Sequence, residues 1–292
     1  MATPNRRLLI TDLDNTLWDW FHAWYEAYSV LITEVSRKSG LSEDKLESEI
    51  RTVHQRRGTS EYSNLLDEIP SLVAAAAPTA PHRQYKEALH SFRSRRKIET
   101  RLYPRVLDTL INLRSHGITI AGYTESQAFW TAWRIKHTGL DGIIDTLYSA
   151  EDHDLPEGMS ITDLRTGYID KDSYDLKKTT HRHTPKGATK PSPAILRSIL
   201  DDQGASPHEA VYIGDSLMKD IAMAQAVDGV LDVHAKYGEA QNRPEYDLLR
   251  RVTHWKDEDV ERERQLSARR GSVRPSLVCA HSFNEVLQAF EA

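Results

Sequence analysis

The sequence predicts an α/β protein with a doubly wound parallel sheet and an all-helical segment inserted near its start. After residue 100, short apolar runs that end in polar residues alternate with segments whose apolar residues recur every three or four positions. Such alternation is typical of a parallel sheet covered by helices on both faces. Between residues 18 and 99 the pattern is helical. We therefore expect one α/β core domain, 1–17 and 100–292, and one helical domain, 18–99.

The helical segment begins directly after one short strand. Leu8–Ile10 is apolar and is followed by polar residues, which indicates a buried strand. Gly40 and Gly58 end two long helical patterns, because glycine readily adopts the left-handed conformation found at helix C-termini. Ser42 precedes the second pattern and is a good N-cap. The predicted helices of this insert are 17–39, 42–57, 60–68 and 82–97.

The remaining elements alternate between helix and strand. The predicted helices are 104–117, 126–137, 191–202, 217–227 and a last one before residue 290, and the predicted strands are 118–124, 143–149, 210–215, 229–235 and a short one after residue 276. Residues 151–187 interrupt this alternation, because they are polar and contain few apolar anchors. We expect them to form a long excursion, and the sequence does not indicate its role.

Composition and charge argue against several classes of function. The 292 residues carry a net charge of −5, so no basic field points to nucleic acid. No apolar run approaches the roughly 18 residues of a membrane helix, and the apolar stretch near the start is too short for a signal peptide. Cys279 is the only cysteine, which excludes a disulfide framework and predicts a reducing, cytoplasmic location. The oligomeric state is not predicted.

Acidic side chains follow two of the predicted strands. Asp12 and Asp14 come after the first strand, Asp215 ends the strand at 210–215, and Asp220 lies in the next helix. Open parallel sheets bind ligands beyond the carboxyl ends of their strands. In extended backbone Asp12 and Asp14 face the same side, where they repel each other unless a cation lies between them or one is protonated. Mg²⁺ prefers such oxygen ligands, and we expect it to be held here.

The same region contains the groups that phosphate-ester hydrolysis needs. An aspartate beside a metal can act as a nucleophile and form an acyl-phosphate, which water later cleaves. A neighbouring carboxyl group can protonate the leaving oxygen and then deprotonate that water. Thr124 offers a hydroxyl group and Lys190 an ammonium group for the phosphoryl oxygens.

The motifs occur in an order that resembles a known family. "DLDNT" (12–16), "GYT" (122–124), "KPSPAIL" (190–196) and "VYIGDSLMKD" (211–220) together look like the haloacid dehalogenase superfamily of hydrolases. The resemblance covers the core, and four motifs in the right order make it specific. It implies a Rossmann-like parallel sheet. The helical insert at 18–99 resembles the cap of the family's commonest subclass.

The resemblance implies a role for each motif residue. Asp12 would be the nucleophile, and Asp14 would be the general acid and base, whose backbone carbonyl also binds the metal. Thr124 and Lys190 would bind phosphate, and Asn15 is a further candidate for phosphate binding. The implied Mg²⁺ ligands are Asp12, Asp14, Asp215 and Asp220.

Two features depart from the family pattern. Glu125 follows Thr124 where a small polar residue or Asn is usual, and an anion beside a phosphate site is unfavourable unless it points away. The spacing from Thr124 to Lys190 is also longer than in the family, because of the polar excursion. Lys186 is therefore a competing candidate for the phosphate-binding lysine, although Lys190 precedes a proline and a helix, as the pattern requires.

Three residues outside these roles are candidates for substrate recognition. Trp18 follows the catalytic strand and could line the site, although aromatic residues at helical spacing more often belong to a core. Arg56 and Arg57 precede the helix break at Gly58 and could meet an anionic group, although a solvated surface turn is the simpler interpretation.

The predicted function is a Mg²⁺-dependent phosphatase that hydrolyses a small-molecule phosphate monoester through an aspartyl-phosphate at Asp12. Dehalogenation is disfavoured, because that branch of the family lacks an acid at the position of Asp14. A phosphoryl-transferring mutase shares every core motif and stays open. The alternative from a different class is a catalytically idle binding or regulatory module, against which the intact set of acids argues.

Overall fold

A parallel sheet runs through the computed structural model, which describes residues 6–151, 176–185, 187–258, 261 and 273–291. The strands are β1 (Leu8–Thr11), β2 (Thr119–Gln127), β3 (Thr146–Ala150), β4 (Thr180–His183), β5 (Ala210–Gly214), β6 (Leu231–Ala235) and β7 (Leu277–Cys279). In the described residues these seven strands pair in parallel in the order β4-β3-β2-β1-β5-β6-β7. The predicted α/β fold with a parallel sheet is confirmed.

Helices and short turns cover the sheet and form the insert. The α-helices are α1 (Trp20–Ser39), α2 (Glu43–Arg57), α3 (Pro70–Ala76), α4 (Pro81–Gln84), α5 (Lys86–Glu99), α6 (Val106–Ser115), α7 (Ala128–His137), α8 (Pro193–Asp202), α9 (Ala222–Gln225) and α10 (Tyr246–Val252). Short segments of 3-10 or π helix lie at Leu65–Glu68, Pro207–Glu209, Leu217–Ile221, Lys236–Gly238 and Phe283–Ala289. Among the described helices, none has the length and apolar character that crossing a membrane requires.

Alternate residues of β1 face opposite sides of the sheet. Leu9 belongs to one hydrophobic cluster with α6 and the turn at 283–289, whereas Leu8 and Ile10 belong to another with α8 and α9. The whole strand is buried, which explains why its sequence is apolar rather than alternating. The end of β1, where Asp12 follows, is therefore flanked by β2 and β5 at the centre of the sheet.

The insert is helical, as predicted, and its apolar side chains form most of one hydrophobic cluster. Gly40 and Gly58 end α1 and α2 with φ of 76° and 67°, and the Ser42 side chain accepts a hydrogen bond from the Lys45 N–H. The cluster also contains side chains from 240–252, where α10 packs on α2. Whether 18–99 forms a domain by itself stays a prediction.

Several elements differ from the expectation. β4 lies at the sheet edge inside 151–187, which we expected to be a polar excursion. Its four residues are polar and largely exposed, so they lack the alternation that indicates a strand, and polar residues are common on edge strands. The short helices α3 and α10 were also not predicted. Residues 152–175 of the expected excursion lie outside the described residues.

Candidate active site

The carboxyl ends of β1, β2 and β5 meet at one edge of the sheet. β1 pairs with β2 on one side and with β5 on the other, so that Thr11 lies opposite Gly122 and Ile213. Asp12 follows Thr11, and its N–H donates to the Ile213 carbonyl at 2.8 Å. Because parallel strands end at the same edge, the residues that follow them converge there. This topology brings Asp215, which follows β5, close to Asp12.

Three carboxylates converge at this edge. One oxygen each of Asp12, Asp215 and Asp220 lies within 4.8 Å of the other two. The Ser216 N–H donates to Oδ2 of Asp220 at 3.1 Å and orients that side chain. A Cβ on Gly214 would lie 2.4 Å from Cγ of Asp220, so only glycine leaves room for this arrangement. Three oxygen ligands of this kind fit a hard divalent cation.

Lys190 contacts two members of the carboxylate cluster. Its Nζ donates to Oδ1 of Asp12 at 2.6 Å and to Oδ1 of Asp220 at 2.8 Å. Burial alone lowers the pKa of a lysine, but the two carboxylates outweigh burial here and raise the pKa of Lys190 well above its ordinary value. Lys190 therefore stays charged. Lys186, the competing candidate, lies outside the described residues.

One ammonium group does not balance three carboxyl groups in this buried site. Burial raises the pKa of Asp12 to about 7 with help from the charge of Asp220, although Lys190 opposes this rise. Burial and the charges of Asp12 and Asp220 raise the pKa of Asp215 well above its ordinary value. A bound divalent cation would favour the charged form of each carboxyl group. The raised pKa values and the three oxygen ligands thus both favour a divalent cation at this cluster.

Asp14 has a separate set of partners. Its Oδ1 accepts a hydrogen bond from the Trp18 indole N–H at 2.7 Å, and its Oδ2 accepts one from the Ser126 hydroxyl at 2.5 Å. Nη1 of Arg134 lies 3.7 Å from Oδ1. These contacts hold the carboxylate in place beside the three-carboxylate cluster. Binding of a metal by the Asp14 backbone carbonyl stays a prediction.

Trp18 lies behind Asp14 and not on an open face of the site. It is 1% exposed and belongs to the same hydrophobic cluster as Leu9. The burial of Trp18 and its hydrogen bond to Asp14 favour the core interpretation of this tryptophan. Contact between Trp18 and a substrate stays a prediction.

Asn15 and Thr124, the two uncharged candidates for phosphate binding, lie near the carboxylate cluster and have different hydrogen-bond partners. Asn15 has a left-handed φ of 61°, and its Oδ1 accepts a hydrogen bond from the Phe21 N–H at 3.0 Å, so its amide oxygen holds the start of α1. Thr124 is buried in β2, where its Oγ1 accepts from the Ser126 N–H at 3.0 Å. Phosphate binding by both residues stays a prediction.

Glu125, which departs from the family pattern, has two partners that balance and orient it. Its Oε1 accepts a hydrogen bond from the Lys190 backbone N–H at 2.7 Å, and its Oε2 accepts one from Nζ of Lys219 at 2.7 Å. Glu125 thus links β2 to the segment that carries Lys190. The sequence reveals the departure but not these partners, which lie 65 and 94 residues away along the chain.

Arg56 and Arg57 form ion pairs within the insert. Both guanidinium groups contact the carboxylate of Glu68, with Nε of Arg57 at 2.9 Å. The Tyr62 hydroxyl donates to Glu68 at 2.5 Å. Contact with a substrate stays a prediction for both arginines.

Three residues that contact Asp12 or Asp14 were not among the predicted site residues. Thr16 donates to Oδ2 of Asp12 at 2.8 Å, and Ser126 and Arg134 contact Asp14. Thr16 belongs to the first motif and Ser126 follows the second, so their positions in the sequence could have indicated that both lie at the site. Arg134 lies in the middle of α7, far from Asp14 along the chain, and a single sequence holds no signal for such a contact.

Comparison with known proteins identifies a family. A family model described as haloacid dehalogenase-like hydrolase matches residues 9–162, which is slightly more than half of the chain. A second model with the same description matches residues 165–228. No curated protein sequence matches the chain.

Solved structures are similar at low sequence identity. YfnB from Bacillus subtilis, assigned to the HAD hydrolases and bound to magnesium, is 15% identical with a TM-score of 0.51, over 99% of this chain and 100% of that one. A predicted phosphoglycolate phosphatase from Haemophilus somnus 129PT is 17% identical with a TM-score of 0.48, over 99% of each chain. A 2-haloacid dehalogenase from Pseudomonas syringae pv. tomato DC3000 is 20% identical with a TM-score of 0.49, over 82% of this chain and 90% of that one.

Proposed function

The chain belongs to the haloacid dehalogenase-like hydrolases, and we propose that it is a Mg²⁺-dependent phosphatase that hydrolyses a small-molecule phosphate monoester. The observation that supports this reaction is the convergence of Asp12, Asp215, Asp220 and Lys190 at one edge of the sheet. This set offers a nucleophile, a site for a divalent cation and a fixed positive charge, which phosphate-ester hydrolysis needs. We also propose that the metal is magnesium and that the protein is cytoplasmic.

Asp12 is the nucleophile of the first step. Lys190 donates a hydrogen bond to one of its oxygens and Thr16 donates one to the other, which orients the carboxylate. One Asp12 oxygen forms a bond to phosphorus while the bond between phosphorus and the ester oxygen breaks. Asp14 gives its proton to that ester oxygen, so the alcohol leaves neutral. The step leaves an aspartyl-phosphate on Asp12 and an ionised Asp14.

Asp14 is the base of the second step. It takes a proton from a water molecule, whose oxygen attacks the phosphorus atom of the aspartyl-phosphate. The acyl-phosphate bond breaks, which releases inorganic phosphate and restores the Asp12 carboxylate and the protonated Asp14. Trp18 and Ser126 hold Asp14 in one orientation for both proton transfers.

The three clustered carboxylates would hold the magnesium ion. Asp12, Asp215 and Asp220 supply the oxygens, and Gly214 leaves the space that Asp220 occupies. When bound, Mg²⁺ stabilises the negative charge on the phosphoryl oxygens. Lys190 adds a second positive charge, which stays in place because the neighbouring carboxylates raise its pKa.

Release of p-nitrophenolate from p-nitrophenyl phosphate tests the proposal. We expect Mg²⁺-dependent turnover that Asp12→Asn lowers by ~10³-fold or more, because an amide of the same shape is not a nucleophile. Asp108→Asn, which changes an exposed acid on α6, is the matched control and should keep full activity. Circular dichroism and thermal unfolding establish that both variants fold.

A panel of sugar phosphates, nucleotides and phosphorylated cofactors tests the substrate class. A folded wild-type protein that hydrolyses none of them contradicts the phosphatase and favours a binding module. Turnover that depends on a sugar bisphosphate favours a phosphoryl-transferring mutase. Full activity of Asp12→Asn rules out the aspartyl-phosphate.

A further inference from the structure

A buried chain of charges runs from the insert to the second catalytic aspartate. It consists of Glu61 in the insert, Arg134 on α7 and Asp14, and we call it the buried ion chain. Arg134 Nη2 forms a short contact with Oε1 of Glu61. Arg134 Nη1, which has no hydrogen-bond partner in the part of the chain that the structure describes, lies 3.7 Å from Oδ1 of Asp14. The Arg134 guanidinium group thus lies between the carboxylates of Glu61 and Asp14.

Glu61 is held in place by several elements. The indole N–H of Trp20 on α1 donates to Oε2 of Glu61 at 3.1 Å, and the indole N–H of Trp130 on α7 donates to its backbone carbonyl at 2.9 Å. Nη2 of Arg96 on α5 lies 3.8 Å from Oε1. Glu61 is therefore a rigid anchor, and its position depends on how the insert packs against α7.

We infer that Arg134 is a positioning residue for Asp14, and that Glu61 sets the position of Arg134. The inference rests on the proposed function, in which Asp14 transfers the protons. A buried guanidinium group needs counter-charges on the sides where it has lost water. With Glu61 in place, Arg134 is shared between two carboxylates and stays at a distance from Asp14. Packing of the insert thereby determines where the acid–base group lies.

Loss of the Glu61 charge should change how Asp14 is placed. In Glu61→Gln, Asp14 becomes the remaining carboxylate of the buried ion chain, and Arg134 should move toward it. A displaced Asp14 protonates the leaving oxygen poorly. This failure matters little for p-nitrophenolate, which leaves readily as an anion, and matters greatly for an aliphatic alkoxide, which needs the proton.

Comparison of two phosphate esters tests the inference. We expect Glu61→Gln to lower kcat for an alkyl phosphate by ~10²-fold, to lower it by less than ~3-fold for p-nitrophenyl phosphate, and to leave KM within ~3-fold for both. Glu47→Gln is the matched control: Glu47 is 8% exposed against 7% for Glu61, and it pairs with Arg251 between the insert and α10. It removes the charge of an equally buried glutamate whose ion pair lies away from Asp14, and it should show no such selectivity.

A second variant allows the inference to be tested even if Glu61→Gln does not fold. Arg134→Lys keeps the charge but loses the planar fork that faces both carboxylates, and it should show the same leaving-group selectivity. Equal losses for both esters in Glu61→Gln and Arg134→Lys overturn the inference, as does the same selectivity in Glu47→Gln.

Hydrogen exchange separates this inference from the proposed phosphatase activity. The Asn15 N–H donates to the Trp18 carbonyl and the Leu17 N–H to the Leu13 carbonyl, both at 2.8 Å, in the turn that carries Asp14. We expect these amides to exchange at least ~10-fold faster in Glu61→Gln than in Glu47→Gln, whether or not the wild type hydrolyses phosphate esters. An inactive wild type contradicts the proposed function, whereas unchanged exchange overturns the buried ion chain as a positioning device.

Discussion

Protonation of His54 should destabilise the protein as the pH falls below 6.5. His54 lies on α2 and is completely buried. Its Nδ1 donates to the Val252 carbonyl of α10 at 2.6 Å, and its Nε2 lies 3.3 Å from the Tyr28 hydroxyl. Burial, reinforced by the charge of the neighbouring His254, lowers the pKa of His54 to about 4, although the bond to Val252 opposes this shift.

The size of the effect follows from the difference between the folded and unfolded pKa values. The unfolded chain gains the His54 proton near pH 6.5, whereas the folded chain gains it near pH 4. Between these values the unfolded state binds more protons, so stability falls as the pH falls and is fully present above pH 6.5. Each pH unit in this window corresponds to about 1.4 kcal/mol. The loss is therefore about 2 kcal/mol at pH 5 and about 3 kcal/mol at pH 4.

Urea unfolding at pH 7.5 and pH 5 measures this loss. Other groups, such as Asp12 and Asp215, also titrate, so the useful quantity is the difference between wild type and His54→Gln. Glutamine can still donate to the Val252 carbonyl but gains no proton, and the variant should lose about 2 kcal/mol less than wild type between the two pH values. His90→Gln, an exposed position on α5, is the control and should behave as wild type. If His54→Gln and wild type lose equal stability, the reasoning is refuted.

The remaining predictions concern the site and use steady-state kinetics. Gly214→Ala should raise the Mg²⁺ concentration for half-maximal activity by about tenfold or more, because the new methyl group displaces Asp220; an unchanged requirement contradicts this. Glu125→Ala should lower kcat by about tenfold, and Glu125→Gln should lose less because it still accepts from the Lys190 N–H; equal losses would mean that this bond does not matter. Trp18→Phe should lower kcat by about tenfold with little change in melting temperature, because it removes one hydrogen bond to a carboxylate but keeps the aromatic packing.

The sequence by itself determined the parts of the structure that depend on neighbouring residues. Leu8–Ile10 is apolar because β1 is buried on both faces, and Gly40 and Gly58 end helices because they adopt left-handed φ. The acids that follow β1 and β5 had to meet, because parallel strands end at the same edge of a sheet. The cluster of three carboxylates was therefore predictable from local pattern and topology.

Tertiary structure alone decided the contacts between distant polar residues. The sequence shows that Glu125 is unusual, but only packing places Lys190 and Lys219 around its carboxylate. The approach of Arg134 to Asp14 likewise depends on how α7 lies against the turn after β1. Backbone patterns reflect burial and local dihedral preference, which short segments encode. The partner of a buried charge depends on how separate helices and strands pack together. It therefore cannot be predicted from the sequence of one segment.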